Sequence, residues 1–179
     1  MKSISELEFE NEVIRYLTKI GGVKQWEYKE DIKTTDQLWD NFKVILEQNN
    51  QARLDEPLSN SEFNQVKKII SEIETPYQAG QFLYGVNGVS EIEIDLDNGK
   101  HVFLTVFDQA QVGGGNTVYQ IVNQISRPKV VDGKPNRRFD ITMLINGLPI
   151  IQIEVKKALH SASESLNQME QYIAEKQYS

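Results

Sequence analysis

The sequence predicts a mixed α/β fold of the α+β kind: leading helices, a central mixed β-sheet and a closing helix. Two features of patterning predict it. Up to about residue 75 apolar residues recur every three or four positions, the helical period; from about residue 90 they alternate every second position, the period of a strand. The third observation is size, because 179 residues suffice for one domain with a two- or three-layer core.

The elements follow in order. Residues 5–20 read as an amphipathic helix with Phe9, Val13, Leu17 and Ile20 as its stripe and Gly21-Gly22 as its end. A second helix is expected over 36–49, with Leu38, Trp39, Phe42, Ile45 and Leu46 inward. A third is expected over 60–73, capped by Ser59 or Ser61, with Phe63, Val66, Ile69 and Ile70 packed. Pro76 is expected to stop the helical region, leaving at most a short turn over 77–84. Ile92, Ile94 and Leu96 then alternate with Glu91, Glu93 and Asp95, and Asp97-Asn98-Gly99 turns the chain back into 101–107. Gly113-Gly114-Gly115 marks a break. Strands are expected over 117–126, 138–145 and 149–156, and a last helix over 162–177 with Leu166, Met169 and Ile173 inward.

Composition excludes several classes. With 39% hydrophobic and 25% charged residues the chain belongs with globular proteins, not disordered ones. It has no cysteine, hence no disulfide and no thiolate metal site. Its apolar runs are too short to span a bilayer, and its acidic start lacks a signal peptide's apolar core, so no membrane and a cytoplasmic location are expected. The net charge of −7 runs against nucleic-acid binding. It is compatible with DNA only if the acidic excess lies away from a local basic strip, or if other subunits supply the grip.

The stretch that carries chemistry is 137–156, where two apolar strands flank Asn146-Gly147. On the second strand Ile151, Ile153 and Val155 point one way, and Gln152, Glu154 and Lys156 the other. Taken alone, Glu154 and Lys156 read as a solvated strand face and Asp140 as a strand-end or turn residue. On a central strand, however, those groups must be paired or must bind something. Phosphodiester hydrolysis gives them a purpose. Asp140 and Glu154 together suit a hard oxygen-preferring cation, Mg²⁺, which activates water and stabilises charge on the phosphate. Lys156 would orient the water or neutralise the oxyanion. Register tests the idea: a plain two-residue turn at Asn146-Gly147 would put Asp140 and Glu154 on opposite faces. A bulge or an odd-length connection is needed, and a three-residue loop of Ile145-Asn146-Gly147, with Gly147 left-handed, is the form expected.

Asp140 followed by Glu154-Val155-Lys156 resembles the PD-(D/E)xK nuclease motif, although Arg138-Phe139 stands where that motif has a proline. The context resembles the N-terminal nuclease domain of the R subunit of type I restriction enzymes. It comprises Arg-Phe-Asp-Ile, then Ile-Asn-Gly-Leu-Pro-Ile-Ile-Gln-Ile-Glu-Val-Lys, then Gln168 and Tyr172 spaced as Gln-x-x-x-Tyr. The likeness is specific over roughly 117–172 and takes in Asn123-Gln124 and the glutamate-rich first helix, whose Glu10 is preferred over Glu6, Glu8 and Glu12 as a supporting carboxylate.

The resemblance implies a restriction-endonuclease-like fold in a single domain over 1–179, with a helical insert at about 30–80 and a nuclease core at about 90–177. The chain would be an N-terminal fragment of a longer motor subunit. It implies a type I site-specific deoxyribonuclease with Asp140, Glu154 and Lys156 catalytic and Asp140 and Glu154 on Mg²⁺. Glu10, Gln152, Gln168 and Tyr172 would support the site, and Arg137, Arg138 and Lys157 would lie on phosphate. Double-stranded DNA and the modification and specificity subunits would be partners; ATP would bind only to the motor, since no Walker motif occurs here. His101 and His160 stand too isolated for metal ligation. The alternatives are a repair or junction-resolving nuclease of the same fold, which would cut as an isolated domain, and a non-catalytic DNA-binding or assembly module, which would bind no divalent cation.

Overall fold

A computed structural model describes residues 5–19, 26–113, 115–127 and 137–155. The closing helix expected over 162–177 lies outside the described residues, as does Ile20. The fold is mixed α/β, as the patterning predicts: helices, a four-stranded mixed sheet and a separate two-stranded sheet. By packing, the chain divides into two units, one of residues 1–39 with 119–178 and one of residues 40–118.

In the first unit, helix α1 (Glu6–Leu17) opens on a reciprocal cap. Ser5 Oγ accepts from Glu8 N, and Glu8 Oε2 accepts from Ser5 N at 2.8 Å. Val13 and Leu17 of the expected stripe do face the sheet, but Phe9 is 46% exposed and Glu10 and Ile14 are buried beside them, because the inward face is rotated toward Glu10 and Ile14. The sheet has the order β1 (Glu27–Tyr28), β4 (Tyr119–Arg127), β5 (Arg137–Ile145), β6 (Leu148–Ile153). β1 runs parallel to β4 and the other pairs are antiparallel. One apolar cluster joins α1 to Ile121, Ile141, Met143 and Val155. A second gathers Ile32, Val122, Ile125, Phe139 and Leu144 with Leu38, from the first turn of helix α2 (Thr35–Asn49). Ile121 and Ile141 have no exposed surface, so their truncation to alanine costs about 2–5 kcal/mol.

The second unit holds the rest of α2, helices α3 (Asn60–Ser71) and α4 (Pro76–Tyr84), and the hairpin β2 (Val89–Asp95) and β3 (His101–Asp108). Pro76 begins a helix instead of ending one. At the first helical position its missing N–H has no intrahelical acceptor to lose, and Thr75 caps the turn with Gln78. Phe42, Phe63, Val66, Ile92, Ile94, Leu104 and Val106 are buried. Asn50 ties the end of α2 to β3: its Nδ2 donates to Leu46 O and Thr105 O, and its Oδ1 accepts from Thr105 N. The hairpin, expected with the core after residue 90, forms a sheet of its own and falls in the unit of residues 40–118. Among the described residues no helix is long and apolar enough to cross a membrane.

Candidate functional site

The hairpin of β5 and β6 turns differently from the expected three-residue loop. Ile145 pairs with Leu148 across two residues, Asn146 at φ 51° and Gly147 at φ 81°. Two left-handed residues in succession make the turn whose twist matches that of the flanking strands, and asparagine and glycine are the residues that tolerate it. Parity is restored one step later. Leu144 faces Pro149 but Met143 faces Ile151, so Ile150 is an extra residue bulged out of β6. Pro149 has no N–H to give the ladder, and a proline in a strand is tolerated at such an irregularity.

Past the bulge Thr142 faces Gln152 and Ile141 faces Ile153. Continued by one residue, that register sets position 154 opposite Asp140, and cross-strand partners share a face. Val155 N donates to Asp140 Oδ2 at 2.7 Å, which ties the aspartate to the segment carrying the glutamate. Both residues are half-buried. Gln152 accepts from Thr142 Oγ1 at 2.8 Å, and its Nε2 is buried without a hydrogen-bond partner.

Beside this hairpin lies a polar network that sequence periodicity does not reveal. Glu10, only 2% exposed, accepts from Asn123 Nδ2 at 2.6 Å and from Gln124 Nε2 at 2.7 Å. Asn123 Oδ1 in turn accepts from Tyr28 Oη at 2.8 Å and from Lys33 Nζ, which also donates to Asn123 O at 3.0 Å. Burial holds the Lys33 ammonium below the usual lysine value, against the opposing pull of Glu30, Glu10 and Asp31. Burial likewise pushes Tyr28 up, with Glu30 and Glu10 adding to the effect and the Asn123 hydrogen bond opposing it. Both carboxylate oxygens of Glu10 therefore accept from amides, and Lys33 is linked to it through Asn123. Lys33 and Tyr28 escaped the sequence reading because 90 and 95 residues separate them from Asn123 and no local pattern announces the contact.

Of the expected site residues, Asp140, Glu154, Gln152 and Glu10 are described. Lys156, Lys157, Gln168 and Tyr172 lie outside the described residues, as does His160. Arg137 and Arg138 are described as strand backbone, and their side chains lie outside the description. His101, far from isolated, contacts Asp95 Oδ1 through Nδ1 at 2.7 Å and Glu93 through Nε2. Among the described residues no group of three or more His, Cys, Asp or Glu side chains is placed to hold a metal ion. Asp140 and Glu154 supply a two-carboxylate donor set, which fits a cation that keeps most of its water and takes one or two protein oxygens.

Charge is unevenly shared. Residues 40–118 carry five Lys or Arg against twelve Asp or Glu, whereas the unit containing the hairpin has fourteen of each. The whole of the −7 excess therefore lies in residues 40–118.

Helices around a mixed four-stranded sheet with a bulged hairpin make this an α+β fold of the nuclease-like kind. The chain belongs to the family described as Type I restriction enzyme R protein N terminus, which matches residues 3–178. It is 28% identical over 169 residues to a type I restriction enzyme endonuclease subunit of Staphylococcus aureus strain MSSA476, an alignment covering 94% of this chain and 16% of that protein. It is 30% identical over 142 residues to the endonuclease subunit of a type I restriction enzyme of Staphylococcus saprophyticus, covering 79% of this chain and 14% of that protein. The corresponding subunit of the Escherichia coli enzyme EcoprrI is 38% identical over 56 residues, 31% of this chain and 17% of that protein. The chain thus spans about a sixth of the length of these relatives.

Proposed function

We propose that this chain is the Mg²⁺-dependent DNA endonuclease domain of a type I restriction R subunit. The observation that supports the reading is the bulge at Ile150: it brings Ile153 opposite Ile141, a register that, continued by one residue, would bring Glu154 opposite Asp140 where an unbulged hairpin would part them. Asp140 and Glu154 would hold the cation, which when bound lowers the pKa of a coordinated water and offsets charge on the phosphate. The chain's own groups do the rest. Val155 N fixes the Asp140 carboxylate by its hydrogen bond. Lys156 supplies a positive charge beside the reacting phosphate. Gln152, Gln168, Tyr172 and Glu10 support the site, and Arg137, Arg138 and Lys157 engage the DNA backbone. Membership of the family supports double-stranded DNA and the modification and specificity subunits as partners and a cytoplasmic setting. The relatives' greater length supports ATP-driven motor regions outside this chain, so ATP is not a ligand of these residues.

The test is DNA cleavage by the assembled enzyme carrying Glu154→Ala or Lys156→Ala, with circular dichroism to check folding. Each variant is expected to cut at least about a hundredfold slower. Cleavage within a few-fold of wild type in both variants rejects the assignment. Isothermal titration of Mn²⁺ provides the second reading: binding that Asp140→Ala and Glu154→Ala abolish supports the ligand pair, and unchanged binding refutes it.

A further inference from the structure

Gln124 has φ 56° in the middle of strand β4. A residue other than glycine rarely adopts that conformation, and asparagine, aspartate or glycine would hold it with less strain. Its place in the register makes the strain informative. Asn123 faces Ile141 and Ile125 faces Phe139 with no shift between them, so Gln124 stands opposite Asp140.

The alternation of faces slips by one at this pair. Ile121, Ile141 and Met143 pack on the α1 side, and Asn123 reaches the same side to bond Glu10. Strict alternation would send Gln124 to the other side and Ile125 and Phe139 back to α1. Instead Gln124, the very next residue, also bonds Glu10, and Ile125 and Phe139 join Val122 and Leu144 in the opposite cluster. Two successive strand residues can reach one carboxylate only if the backbone between them leaves the extended region, and φ 56° is that departure.

We infer that Gln124 is a positioning residue: its left-handed backbone, locked by the hydrogen bond that Glu10 accepts from its amide, is the point at which the faces of β4 and β5 slip, and so it fixes the side on which the Asp140 carboxylate is presented. The buried Glu10 is the anchor of this device, and Lys33, acting through Asn123, is its distant countercharge. The inference rests on the reading of Asp140 as part of the site, but its test needs no cleavage.

The probe is the Val155 amide, whose N–H donates to Asp140 Oδ2. Its hydrogen exchange reports where that carboxylate sits, and the Met143 amide inside the sheet serves as the control. In Gln124→Val, whose branched side chain resists left-handed backbone, Val155 exchange is expected to quicken about tenfold or more while Met143 stays within about threefold of wild type. Gln124→Asn, which tolerates positive φ and keeps an amide, is expected to restore most of the protection. Wild-type exchange at Val155 in Gln124→Val overturns the inference. If the valine variant does not fold, Gln124→Ala is read by the same criterion, and wild-type exchange there overturns it equally. A positive exchange result beside undiminished cleavage in Glu154→Ala would sink the nuclease reading and leave the positioning role standing.

Discussion

A carboxylate as enclosed as that of Glu10 persists because two side-chain amides solvate it in place of water; a buried charge without such partners is penalised by several kcal/mol. His101 shows the opposite situation, a titratable group in full contact with solvent. Hydrogen bonds that its ring N–H groups donate to Asp95 first and Glu93 second favour its charged form and raise its pKa above the ordinary histidine value. A raised folded-state pKa means that the added stability is complete below the unfolded value, about 6.5, and is lost as pH climbs through the folded value. The ring is therefore expected to titrate above about 6.5 by NMR, and Asp95→Asn should move it back toward that value. A ring that titrates identically in both proteins contradicts the pairing. The turn at 97–99 was readable in the sequence, but the register that sets His101 opposite Asp95 was not.

Elements were more legible than contacts. Helices expected over 36–49 and 60–73 form as Thr35–Asn49 and Asn60–Ser71, since their apolar spacing and caps are local properties. The hairpin at Asn146-Gly147 was equally plain, yet its parity was not. Asn-Gly in a two-residue turn needs no third residue, and the correction came instead from Pro149 and the bulged Ile150. Because the bulged residue has no cross-strand partner, deleting Ile150 leaves Met143 opposite Ile151 and Ile141 opposite Ile153 and yields a regular hairpin. Val155, 5% exposed in the α1 cluster, should then stay buried, so the unfolding free energy in urea is expected to change by less than about 1 kcal/mol. A loss of about 1.5–3 kcal/mol, the worth of burying that valine, would mean that the register had slipped.

For the whole molecule, the division of charge answers the objection raised by an overall −7. The acidic excess belongs to residues 40–118, and the unit with Asp140 and Glu154 is formally neutral. If Arg137, Arg138 and Lys157 are its phosphate contacts, DNA binding by this chain is weak and shallow in salt. Three contacts correspond to a slope of log K against log salt near about −2.7. Fluorescence anisotropy over a range of salt measures it, and a slope steeper than about −5 would require a larger basic surface than these residues provide.

By itself the sequence determined the class of fold, the order and bounds of most helices and strands, the hairpin at Asn146-Gly147 and, through Asp140, the Glu154-x-Lys156 spacing and their surroundings, the family. The elements and the hairpin depend on residues within a turn or two of one another, where periodicity and turn chemistry act directly, and the family is carried by the order of motifs along the chain. The tertiary structure alone decided that Ile150 bulges, that Gln124 is left-handed opposite Asp140, and that Lys33 and Tyr28 close on Asn123 beneath a buried Glu10. Those outcomes are set by pairing between strands and by packing against α1, interactions that join residues far apart in the chain and leave no local signature.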